Sequence, residues 1–215
     1  MKINEIFSST QGEGIYVGYR QLFIRFSSCH LSCDYCDEHS SDGDELSVDE
    51  VLTQLKSYSK QYHHSVSITG GEPLLQVDAL KELLPNIELP KYLETSSTLP
   101  SHLAEIKNEV DIFALDYKPE YAAEFEESLK LVADEDTFVK FILLPSQHVQ
   151  ELKQASEIIE AYNRDIPFII QPVTPHRKIS HMPSEQEISA AYTIVKKRLS
   201  DVRVIPQTHK MLHIH

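Results

Sequence analysis

All three cysteines of this 215-residue chain fall within residues 27–39, SSCHLSCDYCDEH, as Cys29, Cys33 and Cys36. The spacing is C-x3-C-x2-C. A structural zinc site takes four protein ligands, and a disulfide takes two. A [4Fe–4S] cluster has four irons, each wanting one outside ligand, so three thiolates leave one iron open. An open metal position separates a reactive site from a structural one, and the open iron can take a chelating small molecule. The competing reading is a Cys3His zinc site with His30 or His39 as fourth ligand. A set of inert buried thiols fits less well, because the segment is polar and rich in aspartate.

A second chemical signal is TGGEPLL at residues 69–75. Gly70 and Gly71 remove side chains, so backbone can approach a ligand closely. Glu72 and nearby backbone groups suit a ligand ammonium. An ordinary strand-to-helix turn is the bland alternative. Polar residues also gather in ETSST (94–98), LDYKP (115–119) and IIQPVTP (169–175).

These segments need elements to hold them. Apolar runs at QLFIRF, SVSIT, KYLET, DIFALDY, FVKFILL, PFIIQPV and DVRVIPQ read as seven strands. Amphipathic helices separate them, two opening with capping boxes, Ser47 with Glu50 and Ser184 with Glu187. Alternating strands and helices imply an α/β fold with a mostly parallel sheet and right-handed crossovers. The loops after the strands then share one rim, where ligands bind. Every polar segment named above lies at such a strand end. There is no repeat or linker, so residues 1–215 read as one domain.

The formal net charge of −13 opposes a broad nucleic-acid or anionic-membrane surface. The polar start MKINEIFSST is no signal peptide, and no apolar run approaches the length of a bilayer span. Clustered cysteines without a disulfide framework suit a cytoplasmic protein.

C-x3-C-x2-C with Tyr35 before the last cysteine, followed by TGGEPLL, resembles the radical S-adenosylmethionine enzymes. EIFSSTQGEG, FIRFSSCHLSCDYCD, ETSST, QPVTP and the tail PQTHKMLHIH narrow this, and together resemble the 7-carboxy-7-deazaguanine synthase family. The resemblance spans nearly the whole chain. It implies a partial (β/α) barrel and a lyase that converts 6-carboxy-5,6,7,8-tetrahydropterin to 7-carboxy-7-deazaguanine with loss of ammonia, in 7-deazapurine (queuosine) biosynthesis. It implies a [4Fe–4S] cluster, S-adenosylmethionine and Mg2+ as cofactors. A flavodoxin- or ferredoxin-type electron donor and a homodimer are the implied partners. In the family reaction an adenosyl radical takes hydrogen from C6 of the pterin, and hydrogen returns to regenerate S-adenosylmethionine.

The resemblance assigns roles residue by residue. Cys29, Cys33 and Cys36 match the cluster ligands. Thr10, Gln11, Gly12, Glu13, Arg25 and Thr69 match substrate contacts. Gln11 and Glu13 carry donor and acceptor groups suited to a pterin edge, and a guanidinium suits a carboxylate. His209 and the terminal carboxylate of His215 also fall in the substrate pocket. Tyr35, Cys36, Asp37, Gly71, Glu72, Ser96, Asp116, Tyr117, Lys118, Gln171, Pro172, Val173 and Thr174 match the cosubstrate region, with Glu94 nearby. Two positions depart from the family. Glu38 stands where a magnesium-contacting Thr or Ser is usual, and a carboxylate is an acceptable hard ligand. Ser97 stands where glycine is frequent. His63, His64, His102 and His148 read as solvated, and His213 with His215 as an adventitious metal pair. A glycyl-radical activase shares the cysteine spacing but needs neither QGEG nor QTHK. A zinc module gives TGGEP no role.

Overall fold

Lys2–Thr10 (β1) and Arg20–Phe26 (β2) form an antiparallel pair, with Phe7 opposite Phe23 and Thr10 opposite Arg20. From β2 onward the strands run parallel: Val66–Gly70 (β4), Lys91–Thr95 (β5), Ile112–Asp116 (β6), Thr137–Leu143 (β7), Phe168–Pro172 (β8) and Val202–Val204 (β9). A short strand, Asp44–Glu45 (β3), pairs with the start of β1. The sheet order is β3-β1-β2-β4-β5-β6-β7-β8-β9. The structure is a computed structural model and describes residues 1–36, 43–146, 148–176 and 178–214.

The helices are Val48–Lys56 (α1), Val77–Leu83 (α2), Pro100–Ile106 (α3), Ala122–Val132 (α4), Val149–Tyr162 (α5), Glu185–Lys196 (α6) and Thr208–Leu212 (α7). Both expected capping boxes are present, at Ser47/Glu50 and Ser184/Glu187. The fold is a mostly parallel α/β sheet forming a partial, unclosed barrel, as expected. The sheet nevertheless begins earlier than the apolar runs indicated. β1 was not expected, because KINEIFSST mixes Asn4, Glu5, Ser8 and Ser9 into its apolar positions. α7 spans five residues, too few for a helical period to show.

Alternation along each strand sorts the side chains. The main core lies on the helix side and includes Ile24, Ile68, Leu93, Phe113, Leu115, Val139 and Ile170. A smaller cluster of Tyr92, Ile112, Ala114, Phe138 and Ile169 fills the inner face, against Ile15, Tyr16 and Ile205. Gly14 is needed at its edge: φ is +65°, and a Cβ would stand 2.5 Å from the Phe138 ring. Two residues further along each strand, the inner face turns polar. Tyr92 leads to Glu94, Ala114 to Asp116, Phe138 to Lys140, and Ile169 to Gln171. The barrel is thus plugged with apolar side chains at one end and open to polar ones at the C-terminal rim, where barrel enzymes place their sites.

Candidate active site

A cavity of about 220 Å3 opens at this rim. Its wall includes all three cysteines, Thr10 to Glu13, Arg25, Tyr35, Thr69, Gly71, Ser96, Asp116, Lys118, Gln171, Val173 and His209. These come from eight separate segments, so the sheet has collected nearly every chemically suggestive stretch of the sequence into one place.

The cysteines sit on the loop after β2, reached through Ser28, whose φ is +72°. The Cys36 N–H donates to the Cys33 carbonyl at 3.1 Å, closing a turn, and both residues line the cavity. His30 is engaged elsewhere, its Nε2 lying 2.7 Å from the Thr98 hydroxyl. Among the described residues, no three His, Cys, Asp or Glu side chains converge on a single ion. A cluster instead asks each thiolate to bind a different iron, which suits three cysteines facing one cavity.

The two motif loops are joined through backbone. Gly71 N–H donates to Phe26 O and Glu72 N–H to Ser28 O, both at 2.9 Å. A Cβ on Gly71 would stand 1.9 Å from the Ser28 carbonyl oxygen. Gly70 has φ +118°, and a Cβ there would stand 2.2 Å from Phe26 O. Glu72 is fully buried. Its carboxylate accepts from Leu74 N–H (3.1 Å), Thr95 Oγ1 (2.8 Å), Ser96 N–H (2.7 Å) and Ser96 Oγ (2.5 Å). Glu72 therefore ties the loop after β4 to the loop after β5 from behind the cavity wall, and does not itself line the cavity.

Ser97 is held at φ +63° in that second loop. Left-handed backbone costs an L-residue with a Cβ on the order of 1 kcal/mol, and glycine is free of that cost. Ser97→Gly is expected to raise stability, or leave it unchanged once the extra chain entropy is counted. A drop in Tm would contradict the strain argument.

On the far wall, Lys118 donates to Asp116 Oδ2 and to the Tyr35 hydroxyl, both at 3.1 Å, and lies 5.1 Å from the Tyr35 ring centre. Burial pushes the Tyr35 phenol up to about 12, against the pull of Lys118. For Lys118 itself, burial disfavours the charge, but Asp116, Tyr35 and Cys33 together outweigh it and the ammonium is held above its usual range. Gln171 lines the cavity, and its Oε1 is buried with no hydrogen-bond partner among the described residues.

The first turn after β1 meets the last segment of the chain. Gly12 O accepts from Thr208 N–H (2.9 Å) and Thr208 Oγ1 (3.1 Å), and Glu13 accepts from Gln207 Nε2 (2.8 Å). A Cβ on Gly12 would stand 2.3 Å from His209 Nδ1, so glycine lets the histidine ring pass. Gln11 Nε2 donates to Gln21 and to Glu94, and its Oε1 accepts from Glu13 N–H. Arg25 Nε pairs with Glu5 at 2.7 Å, and its guanidinium lies 5.3 Å over the Phe7 ring. Phe7 and Phe23 stack at 4.9 Å and 7°, forming a flat apolar floor beside Arg25.

Some expected residues do not line the cavity. Tyr117 is buried among Phe125 and Phe141, and its hydroxyl donates to Gln154. Strand alternation explains this, since Asp116 and Lys118 face inward and Tyr117 must face the helices. Pro172 is turned away between Gln171 and Val173 for the same reason, and Thr174 lies past the wall. Asp37, Glu38, His39 and His215 lie outside the described residues. All four histidines expected to be solvated make specific contacts: His63 Nε2 is 2.8 Å from Ser8 Oγ, His64 Nδ1 is 3.1 Å from Ser65 Oγ, His102 Nδ1 is 2.8 Å from Leu74 O, and His148 Nε2 is 2.8 Å from Ser146 Oγ.

Lys140 is a lining residue that the sequence reading missed, as are Phe7, Phe23 and Gln207. The Lys140 side chain is 5% exposed and approaches Glu13 (2.9 Å), Glu94 (3.2 Å) and Asp116 (3.5 Å). The signal was present, because a lone lysine inside the apolar strand FVKFILL must be paired if the strand is buried.

A thiol-lined cavity at the C-terminal rim of a partial barrel, beside a glycine-cleared loop, defines a class. The Radical SAM superfamily model matches residues 23–133. The fold is also that of QueE from Escherichia coli, with a TM-score of 0.62 at 19% identity over 94% of this chain and 92% of that one. The chain is a radical S-adenosylmethionine enzyme, and a [4Fe–4S] cluster and S-adenosylmethionine are its cofactors. The 7-carboxy-7-deazaguanine synthase of Geobacter sulfurreducens is 35% identical over 98% of this chain and 96% of its own length. That of Methanothermobacter thermautotrophicus is 31% identical over 98% and 96%. The chain belongs to the 7-carboxy-7-deazaguanine synthase family.

Proposed function

We propose that this chain contracts the ring of 6-carboxy-5,6,7,8-tetrahydropterin to give 7-carboxy-7-deazaguanine and ammonia. The observation that carries this reading is the meeting of QGEG and QTHK, from opposite ends of the chain, on the cavity that holds the three cysteines. A cavity serving only cosubstrate cleavage needs neither segment.

Cys29, Cys33 and Cys36 hold the cluster. When bound, it supplies the electron that cleaves S-adenosylmethionine, giving the radical that takes hydrogen from C6 of the pterin. Asp116, Lys118, Ser96, Gln171 and Val173 form the cosubstrate wall, and Gln171 Oε1 offers an acceptor there. Gly71 gives the backbone clearance. Thr10, Gln11, Gly12, Glu13, Thr69 and His209 face the pterin. Arg25 meets its carboxylate with paired N–H donors, and the Phe7–Phe23 floor takes its flat face. Glu38, which stands where the family has a magnesium-contacting hydroxyl, would supply a carboxylate ligand to magnesium. A flavodoxin- or ferredoxin-type donor supplies the electron, and the enzyme works in the cytoplasm as a homodimer. No helix among the described residues is long and apolar enough to cross a membrane.

The test is anaerobic turnover of the reconstituted enzyme with the pterin, S-adenosylmethionine, magnesium and a reductant. A 7-carboxy-7-deazaguanine product is expected. 5′-Deoxyadenosine without that product would keep the cluster chemistry and reject the substrate.

A further inference from the structure

We propose that Lys140 is a positioning residue for substrate specificity: it sets the Glu13 and Glu94 carboxylates as one acceptor pair for the 2-amino-pyrimidinone edge of the pterin. The inference rests on the pterin reading above. It starts from an unusual local charge balance. One buried ammonium stands within 3.5 Å of three carboxylates from three segments: Glu13 after β1, Glu94 on β5 and Asp116 on β6. Burial disfavours the Lys140 charge, but Asp116, Glu13 and Glu94 outweigh it, and the ammonium is held well above its usual range.

Lys140 itself cannot be the group that reads an N–H edge, since an ammonium has donors and no acceptor. The carboxylates can. Each has about four lone-pair directions. Glu94 uses one oxygen for Gln11 and Ser67 and the other for Lys140. Glu13 uses one oxygen for Gln207 and the other for Lys140. Both line the cavity. Lys140 contacts both carboxylates, so it holds them at a set separation and offsets their mutual repulsion. Two adjacent N–H donors on a planar ring match such a pair. A ring with oxygen in place of the 2-amino group presents an acceptor to an acceptor, which sites of this kind reject strongly.

The experiment compares two substrates, the natural pterin and its 2-oxo (lumazine) counterpart, in wild type, Lys140→Met and Lys140→Arg, each with verified cluster content. Wild type is expected to prefer the amino substrate. In Lys140→Met the preference ratio in kcat/KM is expected to collapse about 100-fold, chiefly through KM for the pterin, as expected when one partner of a buried charge group is removed. A merely architectural lysine would lower both substrates equally, and equal losses, or none, would overturn the proposal. Should Lys140→Met fail to fold, Lys140→Arg decides. Its larger planar fork presents its donors in a different geometry from the compact ammonium, so the ratio is expected to fall at least about threefold, and an unchanged ratio would overturn the proposal. If wild type makes no 7-carboxy-7-deazaguanine, the pterin reading fails and takes this inference with it. An active wild type with unchanged ratios in the variants sinks the inference alone.

Discussion

Replacing Cys33 with alanine is expected to abolish turnover while leaving the fold intact. The backbone role of Cys33 is through its carbonyl, which accepts from Cys36 N–H at 3.1 Å, and alanine keeps that bond. The thiol faces the cavity and anchors no part of the main core. Stability should therefore change by less than about 1 kcal/mol, as for a surface position away from packing. Function differs because two thiolates cannot hold a cluster that is already one protein ligand short. Iron content, brown colour under anaerobic conditions and product formation should fall together, with an unchanged Tm. A Cys33→Ala protein that keeps its cluster and its turnover would show that the loop does not work as described.

The second large effect is expected at Gly71. The added methyl of Gly71→Ala would meet the Ser28 carbonyl oxygen at 1.9 Å and its carbon at 2.5 Å. Both are backbone, so no flexible side chain can yield. The clash separates the loop after β4 from the cysteine loop, which are joined at Glu72 N–H to Ser28 O. The expected cost is about 3 kcal/mol of stability, in the range of severe overpacking. Cluster occupancy should fall because Cys29 is the next residue after Ser28. Thermal melting with iron quantitation checks both. Wild-type stability together with full iron loading would contradict the geometry.

Much of this was legible in the sequence, for identifiable reasons. The parallel strands after β1 announce themselves because both faces are covered, which demands near-continuous apolar runs. The rim position of the site follows from that topology, and cysteine spacing carries the cluster. Other features were hidden by the same physics. β1 is half-buried along most of its length, so its pattern is diluted by Asn4, Glu5 and the serines. Tyr117 and Pro172 sit inside motif segments, yet strand alternation turns them outward. Glu72 was read as a ligand group because its motif faces the site, whereas its four donors make it a brace between two loops. Lys140 carries no motif at all. Only three-dimensional convergence of Glu13, Glu94 and Asp116 reveals why an apolar strand tolerates a lysine.

The central claim is that the three-cysteine loop and the QGEG–QTHK wall form one chamber, so that the reacting carbon of the pterin meets the cosubstrate. The most direct measurement uses pterin deuterated at C6, with S-adenosylmethionine recovered after anaerobic turnover and examined by mass spectrometry. Deuterium is predicted in the recovered S-adenosylmethionine, alongside 7-carboxy-7-deazaguanine. Active enzyme whose recovered S-adenosylmethionine carries no deuterium would contradict the account.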